Sequence, residues 1–226
     1  MDSLSGKLII SVNPEIYIKD PETSELGKKI IRKSIDLIDE LGFENFTFKK
    51  LANDIHSTEA SVYRYFSNKQ LLLAYLTTWY WGWQEYRLTL SLINIDDSQE
   101  RLRRAIKIVT EEIEEDSRFL QVNEVKLDRI VRTESAKIYL QKNVDTVKQL
   151  GIFKNYKDLV EIISRIILEI NPTYKYPHML VSSVIESAHH QRYFAEHLPR
   201  LTDIIQGEDA VFEFNLDMIL KTITIK

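Results

Sequence analysis

Three helix starts fall within 23 residues between Thr47 and Lys69, in the run TFKKLANDIHSTEASVYRYFSNK. That stretch constrains the chain more than any other. Thr47 can cap a first helix, because its hydroxyl can accept an orphan backbone N–H. Phe48, Leu51, Ala52 and Ile55 follow at helical spacing. Ile55-His56-Ser57 leaves room only for a turn. Thr58 can cap a second helix, with Val62 and Phe66 as its apolar stripe, and Asn68 a third. Two short helices across a three- or four-residue turn make a helix-turn-helix pattern, whose second helix enters the DNA major groove. The bland alternative is a helical hairpin with a polar face. Thr58, Ser61, Tyr63, Arg64, Tyr65, Ser67, Asn68 and Lys69 are all hydrogen-bond donors, which phosphate oxygens accept.

The run Ile30 to Leu73 resembles the DNA-binding domain of the tetracycline-repressor (TetR) family of bacterial regulators. The resemblance is carried by Ile30, Ser34, Leu37, Ile38, Gly42-Phe43 and Thr47 to Ala52. It is closest over Ser61-Val62-Tyr63-Arg64-Tyr65-Phe66, Asn68-Lys69 and Leu72-Leu73. It covers about a fifth of the chain. It implies that Thr47, Tyr63, Tyr65 and Lys69 contact phosphates, and that Lys49, Glu59, Ala60 and Ser61 lie nearest the base edges, with Thr58 on the same face. Thr47 and Lys69 would sit at helix N-termini, which favour anions. Three residues depart from the pattern. His56 stands where the family usually has Gly, at a position that can require positive φ. Ser57 replaces a small apolar residue. Glu59 could accept from cytosine N4 but would repel phosphate.

Charge does not announce nucleic acid. The formal net charge is −4, and eight basic residues face seven acidic ones between Ser24 and Gln70. There is no cysteine, so thiolate chemistry and disulfides are excluded. No apolar run reaches the length of a membrane span and no signal pattern opens the chain, so a cytoplasmic protein without membrane contact is expected. Gly (6) and Pro (5) are scarce among 226 residues, which favours long helices.

The expected fold is all-α. Residues 1–23 form an N-terminal arm, with a β-like run from Lys7 to Val12, that either packs on the body or reaches a minor groove. Residues 24–70 form a three-helix, helix-turn-helix DNA-binding domain. Residues 71–226 form a helical ligand-binding and dimerisation domain. Helices are expected over Ser24–Leu41, stopped by Gly42, and over Asn68 to about Ile93. Others are expected over Gln99–Glu115, a short stretch within Phe119–Val131, Glu134–Leu150, Asn155–Ile170, Pro177–His197 and Asp209–Thr224. The Asn68–Ile93 helix would start in the DNA-binding domain and end in the body, as a lever between them. It carries all three tryptophans, in Trp79-Tyr80-Trp81-Gly82-Trp83. Trp79, Tyr80, Trp83 and Tyr86 are either core or the lining of a pocket for an unidentified, mainly apolar effector.

The family's last two helices commonly pair across a homodimer. That implies an interface at Ile185, His189, Tyr193, Phe212 and Leu216. Glu186 and His189 form an E-x-x-H pattern, with Glu186 and His190 an i, i+4 pair; E-x-x-H occurs once where di-iron bundles need it twice. Structural histidines are the first reading, and a helical metal-dependent enzyme or ligand carrier the alternative. The acidic run Glu111 to Asp116 reads as a solvated face. No phosphate loop or nucleophile elbow is present. The expectation is a non-enzymatic, ligand-responsive regulator, most often a repressor in this family, binding double-stranded DNA as a homodimer without cofactor or metal.

Overall fold

The structure, a computed structural model, describes residues 10–115, 122–139 and 151–224. The described residues are helical, with no strand among them. The start of the run from Lys7, the end of the acidic run and most of the stretch expected as a helix over Glu134–Leu150 lie outside them. Two compact units form. One comprises Met1–Gly82 with Ile113–Lys154, and the other Trp83–Glu112 with Asn155–Lys226.

The first unit is built on α1 (Glu25–Leu41), α2 (Phe48–Asp54), α3 (Glu59–Tyr63) and the N-terminal part of α4 (Lys69–Leu92). Ser24 caps α1 by accepting from Gly27 N–H, and Gly42 ends it at φ 74°, a left-handed conformation that glycine adopts at little cost. Ile30, Ile31, Ile35 and Ile38 line its buried face. Leu72 to Trp81 is buried all round α4, as an apolar helix without a polar face must be.

Ahead of α1 the arm makes two 3-10 turns, Pro14–Ile16 and Pro21–Thr23, each opened by a capping side chain, Asn13 and Asp20. Ile16 is fully buried, and Ile18 N–H donates to the Tyr65 carbonyl at 2.8 Å. Tyr17 meets the Tyr75 ring edge-on at 6.0 Å. Burial, followed by the Glu22 and Asp20 carboxylates, pushes the Tyr75 phenol far above its ordinary range, so it stays protonated. Residues 10–23 therefore pack within the first unit, against Tyr65 and Tyr75. Gly27 is needed for this: a Cβ there would lie 2.2 Å from the Pro21 carbonyl oxygen.

Helices α6 (Glu124–Glu134) and α7 (Ala136–Tyr139) join the same unit. A ladder of ion pairs ties them to α1 and the turn after it. Lys126 pairs with Asp36, Arg129 grips Asp39 with two hydrogen bonds (2.8 and 2.6 Å), and Lys137 pairs with Glu44 at 2.6 Å. The hydrogen bond from Lys137 holds the Glu44 carboxyl below its usual range. Glu134 adds a bond from Phe43 N–H at 3.2 Å.

The second unit contains α5 (Ser98–Thr110), α8 (Lys154–Ile170), α9 (Pro177–His197) and α10 (Ala210–Ile223). Helix α5 stops at Thr110, short of the expected Glu115. The acidic residues that follow would oppose the negative end of the helix dipole. Leu102, Ala105, Ile106, Leu159, Ile163, Ile167, Val181, Val184 and Ile219 are fully buried. Arg192 of α9 stitches the unit. Its guanidinium donates to the Thr110 carbonyl at the end of α5 and to both oxygens of Asp209, which caps α10.

Candidate nucleic-acid interface

Helix α2 begins where Thr47 Oγ1 accepts from Lys50 N–H at 3.2 Å. Phe48, Leu51 and Ala52 turn inward, which leaves Thr47 and Lys49 exposed. The turn closes with Ser57 N–H donating to the Ala52 carbonyl at 2.8 Å, and His56 takes φ +54°. Thr58 then caps α3, accepting from Ser61 N–H at 3.2 Å while its hydroxyl meets the Ser61 hydroxyl at 2.8 Å. With Val62 buried beneath it, α3 presents Thr58, Glu59, Ala60 and Tyr63 to solvent, and Ser61 half-buried between them. Tyr63 packs edge-on against Phe48 at 5.0 Å, which fixes a ring that remains 46% exposed. This small, polar, preset surface is what the shape of a groove requires.

Two expected contact residues point elsewhere. Tyr65 is buried, its hydroxyl 2.7 Å from Ser24 Oγ and the Lys19 ammonium 5.2 Å from its ring centre. The Lys69 ammonium donates to the carbonyls of Phe43, Glu44 and Phe46. Other cations of the head are engaged too: Lys29 with the Ile55 carbonyl, Lys50 with the Asn45 carbonyl, and Lys33 near Asp36 and Asp54. Arg64 at the end of α3 is exposed. By sequence Arg64 is one of the donors of this stretch, outside the residues expected to contact phosphates or bases. The signal was there: the residues three and four positions away are Ala60, Ser61, Ser67 and Asn68, none of them acidic.

His56 occupies a left-handed conformation that costs a side-chain-bearing residue roughly 1 kcal/mol. His56→Gly is expected to raise stability by about that amount, read from denaturant unfolding, and to leave DNA affinity within about twofold. A destabilised glycine variant would show that the imidazole holds the turn.

Trp79 and Tyr80 lie buried in the first unit, where the Tyr80 hydroxyl donates to Asp128 at 2.7 Å. Asp128 also pairs with Arg132, and both side chains are almost wholly buried. Trp83 and the half-buried Tyr86 belong to the second unit, where the Arg87 guanidinium lies 4.7 Å from the Trp83 ring centre.

Of the residues expected at a dimer interface, Ile185, His189, Phe212 and Leu216 face the core of their own unit, at 0%, 8%, 5% and 9% exposure. Apolar helices leave the choice of inward face to their neighbours, and here α5 packs against both α9 and α10. Tyr193 is exposed. It shares an outward stripe on α9 with Met179, Ser183, His190 and His197, and Phe214 and Leu220 are exposed on α10. His190 stacks on Phe194 and stands outside while His189 is buried, so the two histidines diverge. Among the described residues no group of three or more potential ligands could hold a metal ion, and no helix is long and apolar enough to cross a membrane.

Residues 30–76 match the pattern of the bacterial regulatory proteins of the tetR family. No curated protein matches the chain in sequence. Solved structures share its fold. PfmR, a TetR family transcriptional regulator from Thermus thermophilus, is 16% identical with a TM-score of 0.55, over 87% of this chain and 99% of its own. AibR in complex with isovaleryl coenzyme A and operator DNA is 15% identical with a TM-score of 0.54, over 86% and 97%. The superantigen PfiT is 16% identical with a TM-score of 0.59, over 90% and 97%. Such different descriptions on one fold mean that function must be argued from the site.

Proposed function

We propose, from the premise that this chain belongs to the tetR family of bacterial regulatory proteins, that it is a ligand-responsive transcriptional regulator. It binds a near-palindromic operator as a homodimer and represses from it in the cytoplasm. The observation that carries this reading is the outward face of the capped helix-turn-helix, with Thr47, Lys49, Thr58, Glu59, Ala60, Ser61 and Tyr63 around the N-terminus and one side of α3. Thr47 and Tyr63 would position the head on phosphates, and Glu59, Ala60 and Ser61 would face base edges. The AibR complex with operator DNA supports the reading by likeness of fold.

Selection of duplexes from a random pool is the test. Two half-sites are expected, spaced by one helical turn of about 34–36 Å or a multiple of it. Tyr63→Phe should weaken binding to every duplex alike, whereas substitutions at Ser61 or Glu59 should change which duplexes are enriched. A chain that enriches no duplex is not a regulator of this kind.

The effector would be a mainly apolar molecule, a reading supported by the aromatic density at Trp79, Tyr80, Trp83 and Tyr86. A ligand that binds the DNA-incompetent geometry better would release the operator by linkage.

For the homodimer, the outward stripe of Met179 (68% exposed) and Tyr193 on α9 and the exposed Phe214 (56%) on α10 are the surfaces that support self-association. Met179→Glu with Phe214→Glu should yield folded monomers in sedimentation. Ile185→Glu, with its side chain in the core, should unfold the chain instead. A dimer that persists in the double variant would place the interface elsewhere.

A further inference from the structure

We propose that Lys69 is an internal clamp on the turn that precedes the helix-turn-helix, and that Arg64 is the outward cation of this corner, contacting phosphate in its place. The proposal rests on the DNA-binding reading only for the role of Arg64. The clamp is a property of the free chain.

An ammonium has three donors and no acceptor. That of Lys69 spends all three on backbone carbonyls, of Phe43 at 2.8 Å, Glu44 at 3.1 Å and Phe46 at 3.2 Å, and sits 4.6 Å from the centre of the Phe43 ring. These carbonyls belong to the turn between Gly42, which ends α1, and Thr47, which opens α2. Phe43 and Phe46 anchor that turn with buried rings. The first residue of α4 thereby sets where Thr47 stands, and with it the start of α2. Swinging the ammonium out to a phosphate would strand the three carbonyls it now satisfies. The nearby Glu44 carboxylate does not compete, because Lys137 holds it at 2.6 Å.

Arg64 has the opposite circumstances. It follows directly on the exposed Tyr63, is itself exposed, and its side chain makes no hydrogen bond or ion pair among the described residues. A guanidinium presents a planar fork of donors that matches phosphate oxygens. Its neighbours in the helix carry no carboxylate that would draw it back.

The two roles separate in one set of measurements on the full chain. Thermal unfolding is followed without DNA, and affinity for a selected duplex is measured across a salt series. Removing a phosphate contact lowers the slope of log affinity against log salt by about one per bound protomer, whereas misplacing a head weakens binding without that change. Arg64→Ala is expected to keep the wild-type unfolding midpoint and lose about one unit of slope. Lys69→Ala is expected to lower the midpoint and weaken binding at unchanged slope. Lys69→Arg should not restore the midpoint, because a planar fork cannot converge on three carbonyls. Should Lys69→Ala fail to fold, Lys69→Met, which keeps the apolar stem, supplies the slope. A Lys69→Ala variant with an unchanged midpoint and a lowered slope would overturn the clamp. An unchanged slope in Arg64→Ala would overturn the substitution of roles. If the wild-type chain bound no duplex, the DNA-binding reading would fail, and the midpoints of the Lys69 variants would still judge the clamp.

Discussion

Gly27→Ala is expected to destabilise the chain by about 2 kcal/mol and to release the arm, against what helix propensity alone demands. Alanine in place of an internal helical glycine ordinarily gains about 1 kcal/mol. Here the added Cβ would stand 2.2 Å from the Pro21 carbonyl oxygen, 2.6 Å from its Cα and 2.8 Å from its carbonyl carbon. All three atoms are backbone, so no side chain can rotate away, and overpacking of this kind costs about 1–3 kcal/mol. The arm must shift, and with it the burial of Ile16 and the bond from Ile18 to the Tyr65 carbonyl. Denaturant unfolding gives the sign, and limited proteolysis between residues 10 and 24 reports the arm. An alanine variant that is more stable than the parent, with the arm still protected, would show that the close approach to Pro21 is dispensable.

The second large effect is expected at Arg192. Its side chain is 14% exposed and makes two bonds to the Thr110 carbonyl, at 3.0 and 2.6 Å, and two to Asp209, both at 2.6 Å. Breaking a buried pair costs about 3–5 kcal/mol, chiefly because the partner is left charged and alone. Asp209 is a third exposed, and water can resolvate it, so Arg192→Ala should cost about 2–3 kcal/mol. Arg192→Lys should recover only part of this, since one point charge cannot serve a carbonyl and a carboxylate at once. Urea denaturation decides. A loss below about 0.5 kcal/mol, the size of an ordinary surface change, would mean that α5, α9 and α10 hold together without the stitch.

What was legible in the sequence was local. Ser24, Thr47, Thr58 and Asn68 each have the side chain a helix N-terminus needs, and each accepts the backbone N–H three residues on. Gly42 ends α1 at positive φ, and Pro177 opens α9. The all-helical class followed from such signals. What depends on distant partners did not. Tyr65 and Lys69 have the chemistry of phosphate contacts, but Ser24 and three carbonyls from another stretch of the chain engage them. Ile185 and Met179 are equally apolar, and only the packing of α5 and α10 around α9 decides which one is left outside.

The rungs that tie α6 and α7 to α1 and its following turn bear on attempts to recombine such proteins. A graft that moved only residues 24–70 to another carrier would leave Asp36, Asp39 and Glu44 facing whatever the new host supplies in place of Lys126, Arg129 and Lys137. The exchangeable cassette is therefore discontinuous: residues 24–70 travel with the segment that begins near Ile113. A chimera designed on the contiguous boundary keeps Lys33 beside Asp36 but strips Asp39 and Glu44 of their counter-charges, whereas one that transplants both pieces carries its own.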